Sequence, residues 1–457
     1  MRPHLCLFLW SLCAGAAIEP KIIYEQDPAL LNTTIQIVVT AGASDDPLEH
    51  AGLSKLLSEL MPRGTKKRPR QKFQSEVELL GAAIDGSASH SNIVFTSSVI
   101  KENTDRFLVL LEDFLLNPAL EDVEFEKLRT ETIGEINHQK NNNSRLAGLA
   151  LRKEVFAGTP LERPVIGILS SIKNIKRDDV LKKYNNQFHR GNVFFAVASA
   201  LPEQAVKKSL TAIWLKLPDG LRQSRRVYPV KFPPKPTITL IHKPKTEAGA
   251  FMMGQSGITI EDPDRFTVQV GNFSFGGEPL VSRLFRIVRG ELGYTYSIGS
   301  TYGLLGNLTN QKGVFAIHST PSVEFTLKTL MKTLSLWEDY LKNGLSSAEL
   351  KLAKESIINS YPFEFDSAGA RLSQKIEEYL YSDPILSPED FEKKIGSITD
   401  RDLKKALKDK HTAKGFIITL LADETVIRQQ LEEEQKLVAS GDRLQINKVI
   451  TPEQLID

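Results

Sequence analysis

GLSKLLSELMPRGT, residues Gly52 to Thr65, is the stretch whose reading decides the fold. Leu53, Leu56, Leu57 and Leu60 recur at helical spacing, and Pro62 and Gly64 end the pattern. By itself it predicts one amphipathic helix ahead of a basic loop, Lys66-Lys67-Arg68. The chain around it has 457 residues, too many for one ordinary core, so two to four domains are expected. Its 41% hydrophobic and 25% charged residues are ordinary globular composition. A net charge of +2 argues against nucleic-acid binding through bulk charge. The basic runs at 66–70 and at Arg225-Arg226 read as solvated loops.

The first 17 residues read as a signal peptide. Arg2 gives a positive start, Leu5 to Leu12 an apolar run, and Ala14-Gly15-Ala16 a small-residue cleavage site. Cys13 raises the question of a lipid anchor at the membrane, but Leu12 before it is bulkier than lipidation favours. Both cysteines, Cys6 and Cys13, lie in this segment, so the mature chain has no thiol for a disulfide, a nucleophile or a metal. No later apolar run approaches the ~18 residues of a membrane span. These features predict an exported, periplasmic protein without a transmembrane segment.

Next come two strands between Lys21 and Ala41, then the helix already quoted. A helix at Phe73–Leu80, a turn at Gly81–Gly86 and a strand at Asn92–Ile100 follow. Helices are expected at Asn103–Asn117, Glu121–Asn141 and Asp178–Phe188, and a strand at Asn192–Ala200. Residues 172–201, ending HRGNVFFAVASAL, are echoed by 398–421, ending HTAKGFIITLL. One weak repeat at so long a period means two related domains, not a solenoid. The seam carries Pro218, Gly220, Pro229, Pro233, Pro234 and Pro236, a semi-rigid spacer. The organisation is therefore a first domain over 18–217, a Pro-rich linker over 218–236, a second domain over 237–425 and a polar tail over 426–457. That tail is read as a helix at Glu424–Lys436 and a loose end. Each half mixes strands and helices, giving α+β with helices packed on one face of a sheet.

Gly52, Leu53, Leu57, Met61, Gly64 and Thr65 keep the frame GLAHxLEHMxFxGT, and in this the chain resembles the active-site helix of the M16 peptidase family (pitrilysin, insulinase, mitochondrial processing peptidase). The resemblance covers about Ile22 to Leu421. It implies two tandem M16-type domains, helices on mainly antiparallel sheets, that fold like two halves of a clamshell, in a family many of whose members enclose a chamber for peptide. Where the family's zinc motif H-x-x-E-H would stand, this chain has Lys55, Leu56, Leu57, Ser58 and Glu59. Two imidazoles four residues apart on a helix hold zinc, and the Glu between them activates its water. A protonated Lys55 has no lone pair for a metal, Ser58 is no general base, and only Glu59 could ligate. In EKLRTETIGEINHQ, Glu135 stands at the family's third-ligand position, and Leu128 takes the place of the Glu seven residues earlier. Lys55 is then expected to replace the metal electrostatically, its ammonium between Glu59 and Glu135. Glu135 and His138 form a lone E-x-x-H, weak as a metal signature without a second copy. The other histidines read as structural.

Residues 276–297, GGEPLVSRLFRIVRGELGYTYS, read as a Gly turn, a helix with Leu280, Leu284, Ile287 and Val288 inward, a stop at Gly293 and a strand. Arg283 and Arg286 read as its solvated face. The stretch resembles the M16 second-domain motif SRLFxxlRexlGLaYsv. By that resemblance Arg289 and Tyr296 would bind the substrate backbone and polarise the scissile carbonyl of a peptide. Erasure of the zinc half with retention of the Arg/Tyr half is similar to the bacterial two-chain M16 enzymes. The resemblance implies no cofactor on this chain, with zinc on a heterodimeric partner, an M16 homologue with an intact H-x-x-E-H. A non-proteolytic peptide-binding scaffold and a stand-alone peptidase using Glu59 and Glu135 are the alternatives.

Overall fold

Strands β1 (Ile22–Gln26), β2 (Asn32–Val39), β3 (Ala82–Ala88), β4 (Ile93–Ile100) and β5 (Val193–Ser199) form one sheet in the order β1-β5-β2-β4-β3. Only β1 and β5 run parallel; the other pairs are antiparallel. A second sheet holds β6 (Thr237–His242), β7 (Ala250–Ser256), β8 (Thr295–Tyr302), β9 (Val314–Pro321), β10 (Ile417–Ala422) and β11 (Ile446–Ile450). Its order is β8-β9-β7-β10-β6-β11. Without β11 this is the order of the first sheet strand for strand, so the chain is two tandem α+β units of one topology. The computed structural model describes residues 19–222, 226–303, 311–434, 436 and 443–457. The expected signal peptide, with Cys6 and Cys13, lies outside the described residues. No helix among the described residues is long and apolar enough to cross a membrane.

The expectation of helices on a single sheet face is corrected. In β5, VFFAVAS, every residue is buried, which requires cover on both sides. Phe195 and Val197 face the main core of the first half, while Phe194, Ala196 and Ala198 face outward with Ile23 and Val38. That outer face is covered by the Ala368–Tyr381 helix of the second half, through Ala368 and Leu372. Conversely, the Asn143–Val155 helix of the first half lies on β7 and β10, burying Ala147 and Leu151 against Met252, Val314 and Leu421. Thr419 Oγ1 donates to the Ala147 carbonyl at 2.8 Å. The halves thus exchange one helix each. Arg371 on the lent helix pairs with Glu25 and Asp27 at 2.5 and 2.8 Å, and Lys375 with Glu25 at 2.7 Å.

Three local expectations also change. Gly81–Gly86, expected as a turn, runs into edge strand β3. Gly86 is required there because a Cβ would fall on the Ser58 carbonyl oxygen of the Leu53–Leu60 helix beneath. The tail is not loose: β11 adds in parallel to β6, and Leu455 and Ile456 are buried in the core of the first half. Arg68 and Arg70, expected in a solvated loop, reach the buried carboxylates of Asp113 and Glu124 at 2.5 and 2.6 Å.

Two histidines sit in packed surroundings, His411 buried and His90 partly so. His411 meets the Tyr302 hydroxyl at 2.8 Å inside an aromatic cluster with Phe315 and Trp337. Burial, with Lys410 nearby, pushes its pKa down to about 3. Burial and the neighbouring Arg152 likewise hold His90 near 4.

Candidate functional site

The Leu53–Leu60 helix is placed by its apolar face: Leu53, Leu56, Leu57 and Leu60 all lie in the core. Gly52 opens it at φ 101°, where a Cβ would strike Ile172 and the Ile166 carbonyl. The preceding loop is anchored by Asp46, whose carboxylate accepts from Ser54 N (3.0 Å), Ser54 Oγ (2.7 Å) and Lys183 Nζ (2.9 Å). The side chains of Asp46 and Lys183 are 1% and 4% exposed. Burial pushes Asp46 up against the downward pull of Lys183 and Ser54.

Lys55 leaves this helix toward the Asp122–His138 helix. Its side chain is 14% exposed, and its ammonium lies 2.7 Å from Glu59 and 3.2 Å from Glu135, between the two carboxylates. Two turns on, Arg63 reaches Glu131 at 2.5 Å, so two cations tie the helices together like rungs. Ser58 is fully buried and donates to the Lys55 carbonyl at 2.9 Å. Leu128 is core. His138 is exposed, and among the described residues no group of three ligating side chains could hold a metal. A cleft of about 300 Å³ opens beside Glu59, lined by Arg63, Phe73, Val77 and edge residues Ala83 and Asp85.

Removing the ammonium leaves Glu59 and Glu135 facing each other. Lys55→Ala is expected to lower stability by about 1–2 kcal/mol, mostly through the Glu59 rung because solvent screens the half-exposed Glu135. A wild-type denaturation midpoint for the variant would refute this electrostatic role.

The second candidate group sits at the edge of the other sheet. The Phe285–Glu291 segment is wound wider than an α-helix: Leu292 N donates to the Ile287 carbonyl, five residues back, at 3.0 Å. Such wide turns re-aim side chains near functional sites. Leu284 and Val288 anchor it in the core, while Leu280 is exposed rather than inward, at φ 75°. Strand β8 begins with a register shift between Thr295 and Ile298, and Tyr296 and Ser297 both face solvent. The Arg289 guanidinium lies between two rings, 4.5 Å from the centroid of Phe285 and 4.3 Å from that of Tyr296. Among the described residues it has no carboxylate or carbonyl partner. Tyr296 is 79% exposed. Stacking fixes the guanidinium plane and leaves its N–H groups free to donate at the edge.

Arg283, six residues earlier, is the opposite case and corrects the expectation of a solvated face. It is buried, and donates to Glu349 at 2.7 and 3.1 Å, to Asp339 at 3.1 Å and to the Gly344 carbonyl at 3.1 Å. The sequence reading missed Phe285 as the second ring on Arg289; its spacing of four residues was the available signal. It also missed Asp46 with Lys183, which no local pattern joins across 137 residues.

Residues 21–168 match the insulinase (peptidase family M16) family, and residues 174–357 match the peptidase M16 inactive domain family. Together they span more than half of the chain. The chain belongs to peptidase family M16. Among its M16 relatives, an uncharacterized zinc protease of Rickettsia bellii is 22% identical over 380 residues, 82% of this chain and 89% of that protein. The non-peptidase homolog YmxG of Helicobacter pylori is 22% identical over 364 residues, 80% and 83% of the two chains. The crystal structure of a peptidase M16 inactive domain from Pseudomonas fluorescens has the same fold, with TM-score 0.80 and 23% identity over 89% of this chain and 96% of that one.

The zinc of active M16 peptidases does not fit the residues at this position. An ammonium stands between the two carboxylates that remain, and the hydroxyl of Ser58 is turned back onto its own helix. Lewis-acid chemistry needs neutral nitrogen or anionic oxygen donors converging on one point, and Lys55 supplies a positive charge there instead.

Proposed function

We propose that this chain is a catalytically incomplete M16 subunit. It pairs with a zinc-bearing M16 homologue, in the periplasm after export, and helps that partner bind and cleave peptides. The observation that carries the reading is the Arg289 guanidinium, held between Phe285 and Tyr296 on an exposed edge with no carboxylate or carbonyl partner among the described residues. A cation and a phenol at one place supply donors for a peptide carbonyl and for the negative charge that develops on it. Lys55 between Glu59 and Glu135 supports the same division of labour, because it leaves metal chemistry to the partner.

The test is cleavage of a mixed peptide library by the purified chain, by a zinc-bearing M16 homologue from the same organism, and by the two mixed. Cleavage that requires the mixture and is stopped by a chelator supports the proposal. Equal cleavage by the homologue alone overturns it. The description of the Helicobacter pylori relative as a non-peptidase homolog favours a second reading, a peptide-binding or assembly scaffold. On that reading the mixture associates without gaining activity.

A further inference from the structure

The segment from Ile446 to Asp457 begins in one half of the molecule and ends in the other. Its strand β11 adds to β6 at the rim of the second sheet, and a helical turn over Glu453–Ile456 then buries Leu455 and Ile456 in the core of the first half. Among the described residues the first sheet, of the same strand order, has no strand in the place of β11, so a sheet of this topology is complete without one. The two ends are held unequally. Leu455 and Ile456 are 5% and 2% exposed, whereas Asn447, Lys448 and Val449 of β11 all face solvent. Pairing with β6 shifts register between Ile446 and Lys448, and there the Asn447 side chain supplies the acceptor for Ile238 N, Oδ1 at 2.6 Å. Apolar burial therefore anchors one end, and an irregular edge strand holds the other.

Between its ends the segment is gripped by the Asn143–Val155 helix, the element that the first half lends to the second sheet. Glu154 Oε1 accepts from Lys448 Nζ at 3.0 Å and from Thr239 Oγ1 of β6 at 3.3 Å, so one carboxylate joins the helix, the sheet and the segment. Lys153 Nζ donates to the Gln454 carbonyl at 3.0 Å. Lys140, in the corner before the helix, lies 3.5 Å from Glu453. Ser170 Oγ donates to the Asp457 main-chain oxygen at 2.9 Å. Each of these polar ties is near the surface and weak by itself. A short segment held in this way opens at far smaller cost than the packed halves beneath it unfold.

We propose that residues 446–457 are a strap that opens and closes on the folded protein. Closed, it fixes the Asn143–Val155 helix to the rim of the second sheet and so sets how the two halves lie against each other. Open, it removes the ties of Glu154 to Lys448 and of Lys153 to Gln454, and leaves that helix the contacts of Ala147 and Leu151 with Met252, Val314 and Leu421. The strap does not depend on the peptide-binding reading above.

Amide hydrogen exchange of the purified full chain, resolved by segment with mass spectrometry, tests this. Leu455→Ser with Ile456→Ser pulls the buried anchor. Exchange in 143–155 and in 237–242 should then rise about tenfold or more, while the helices 104–116 and 326–343 keep their wild-type rates. Glu154→Ala cuts the shared tie without touching a buried side chain, and should raise exchange in the same two segments about threefold. Faster exchange confined to 446–457 in both variants would make the segment passive packing and overturn the strap. A rise spread evenly over all segments would mark a loss of global stability and overturn it as well. If the double variant does not fold, Glu154→Ala decides alone, and wild-type rates at 143–155 and 237–242 in that variant sink the proposal.

Discussion

With Arg289 replaced by alanine, the mixture of this chain and its zinc-bearing partner is expected to cleave peptide about 10²–10³ times more slowly, the usual loss when one preorganised donor to a developing oxyanion is removed. Among the described residues the guanidinium makes no ion pair that competes for its N–H groups, and the rings of Phe285 and Tyr296 hold its plane before substrate arrives. That preorganisation is what makes a single donor worth so much in a transition state. Tyr296→Phe keeps the ring against Arg289 and removes only the hydroxyl, so its activity should fall between wild type and Arg289→Ala. Both side chains are at the surface, and neither variant should move the denaturation midpoint. An equal fall in kcat and kcat/KM would mark an interaction made in the transition state, whereas a rise in KM alone would mark ground-state binding. Full activity of both variants would leave the chain a scaffold.

Lys183→Met is expected to cost about 3–5 kcal/mol of stability, because it strands a buried carboxylate. Asp46 is wrapped by Ser54 and Lys183 with almost no access to water, and it ties the loop 42–46 to the start of the Leu53–Leu60 helix. In the wild type, burial already raises Asp46 against the pull of its cation. Without the lysine only Ser54 still lowers it, so the folded-state pKa rises further above the unfolded value. A carboxyl with a raised folded pKa takes up its proton more readily in the folded protein, and stability is lost as pH rises through that pKa. The deficit of the variant should therefore be largest near pH 7 and shrink as pH falls toward 5. Chemical denaturation at the two pH values checks both size and sign. A deficit independent of pH would mean lost packing rather than a stranded charge.

The contrast between these two sites shows what the sequence made legible. Elements with local signals were readable: the leucines of 53–60, the alternation in β2 and β4, and the echo between 172–201 and 398–421. Strand β3 was not, because Gly81, Asp85 and Gly86 carry turn chemistry, and the need for glycine at 86 lies in a helix backbone some 28 residues earlier. Arg283 and Arg289 belong to one helical stretch and look alike in sequence. Only the positions of Asp339 and Glu349, 56 and 66 residues on, make one a buried ion pair, while the other has no carboxylate partner among the described residues. The same distance problem hid Asp46 and Lys183. The uninterrupted apolar run VFFAVAS held the signal for a second covered face that the one-face expectation passed over, and nothing local could say that this cover comes from the other half.

That borrowed cover has a consequence for biosynthesis. The last strand of the first sheet ends at Ser199, and the helix that shields its outer face begins at Ala368. Roughly 170 residues separate the two, so at ~5–20 residues per second a ribosome needs on the order of 10–30 s to supply the shield. Throughout that interval Ile23, Val38 and Phe194 form an uncovered apolar surface on a nascent chain. The first half therefore cannot cover its outer sheet face until its distant helix has been made.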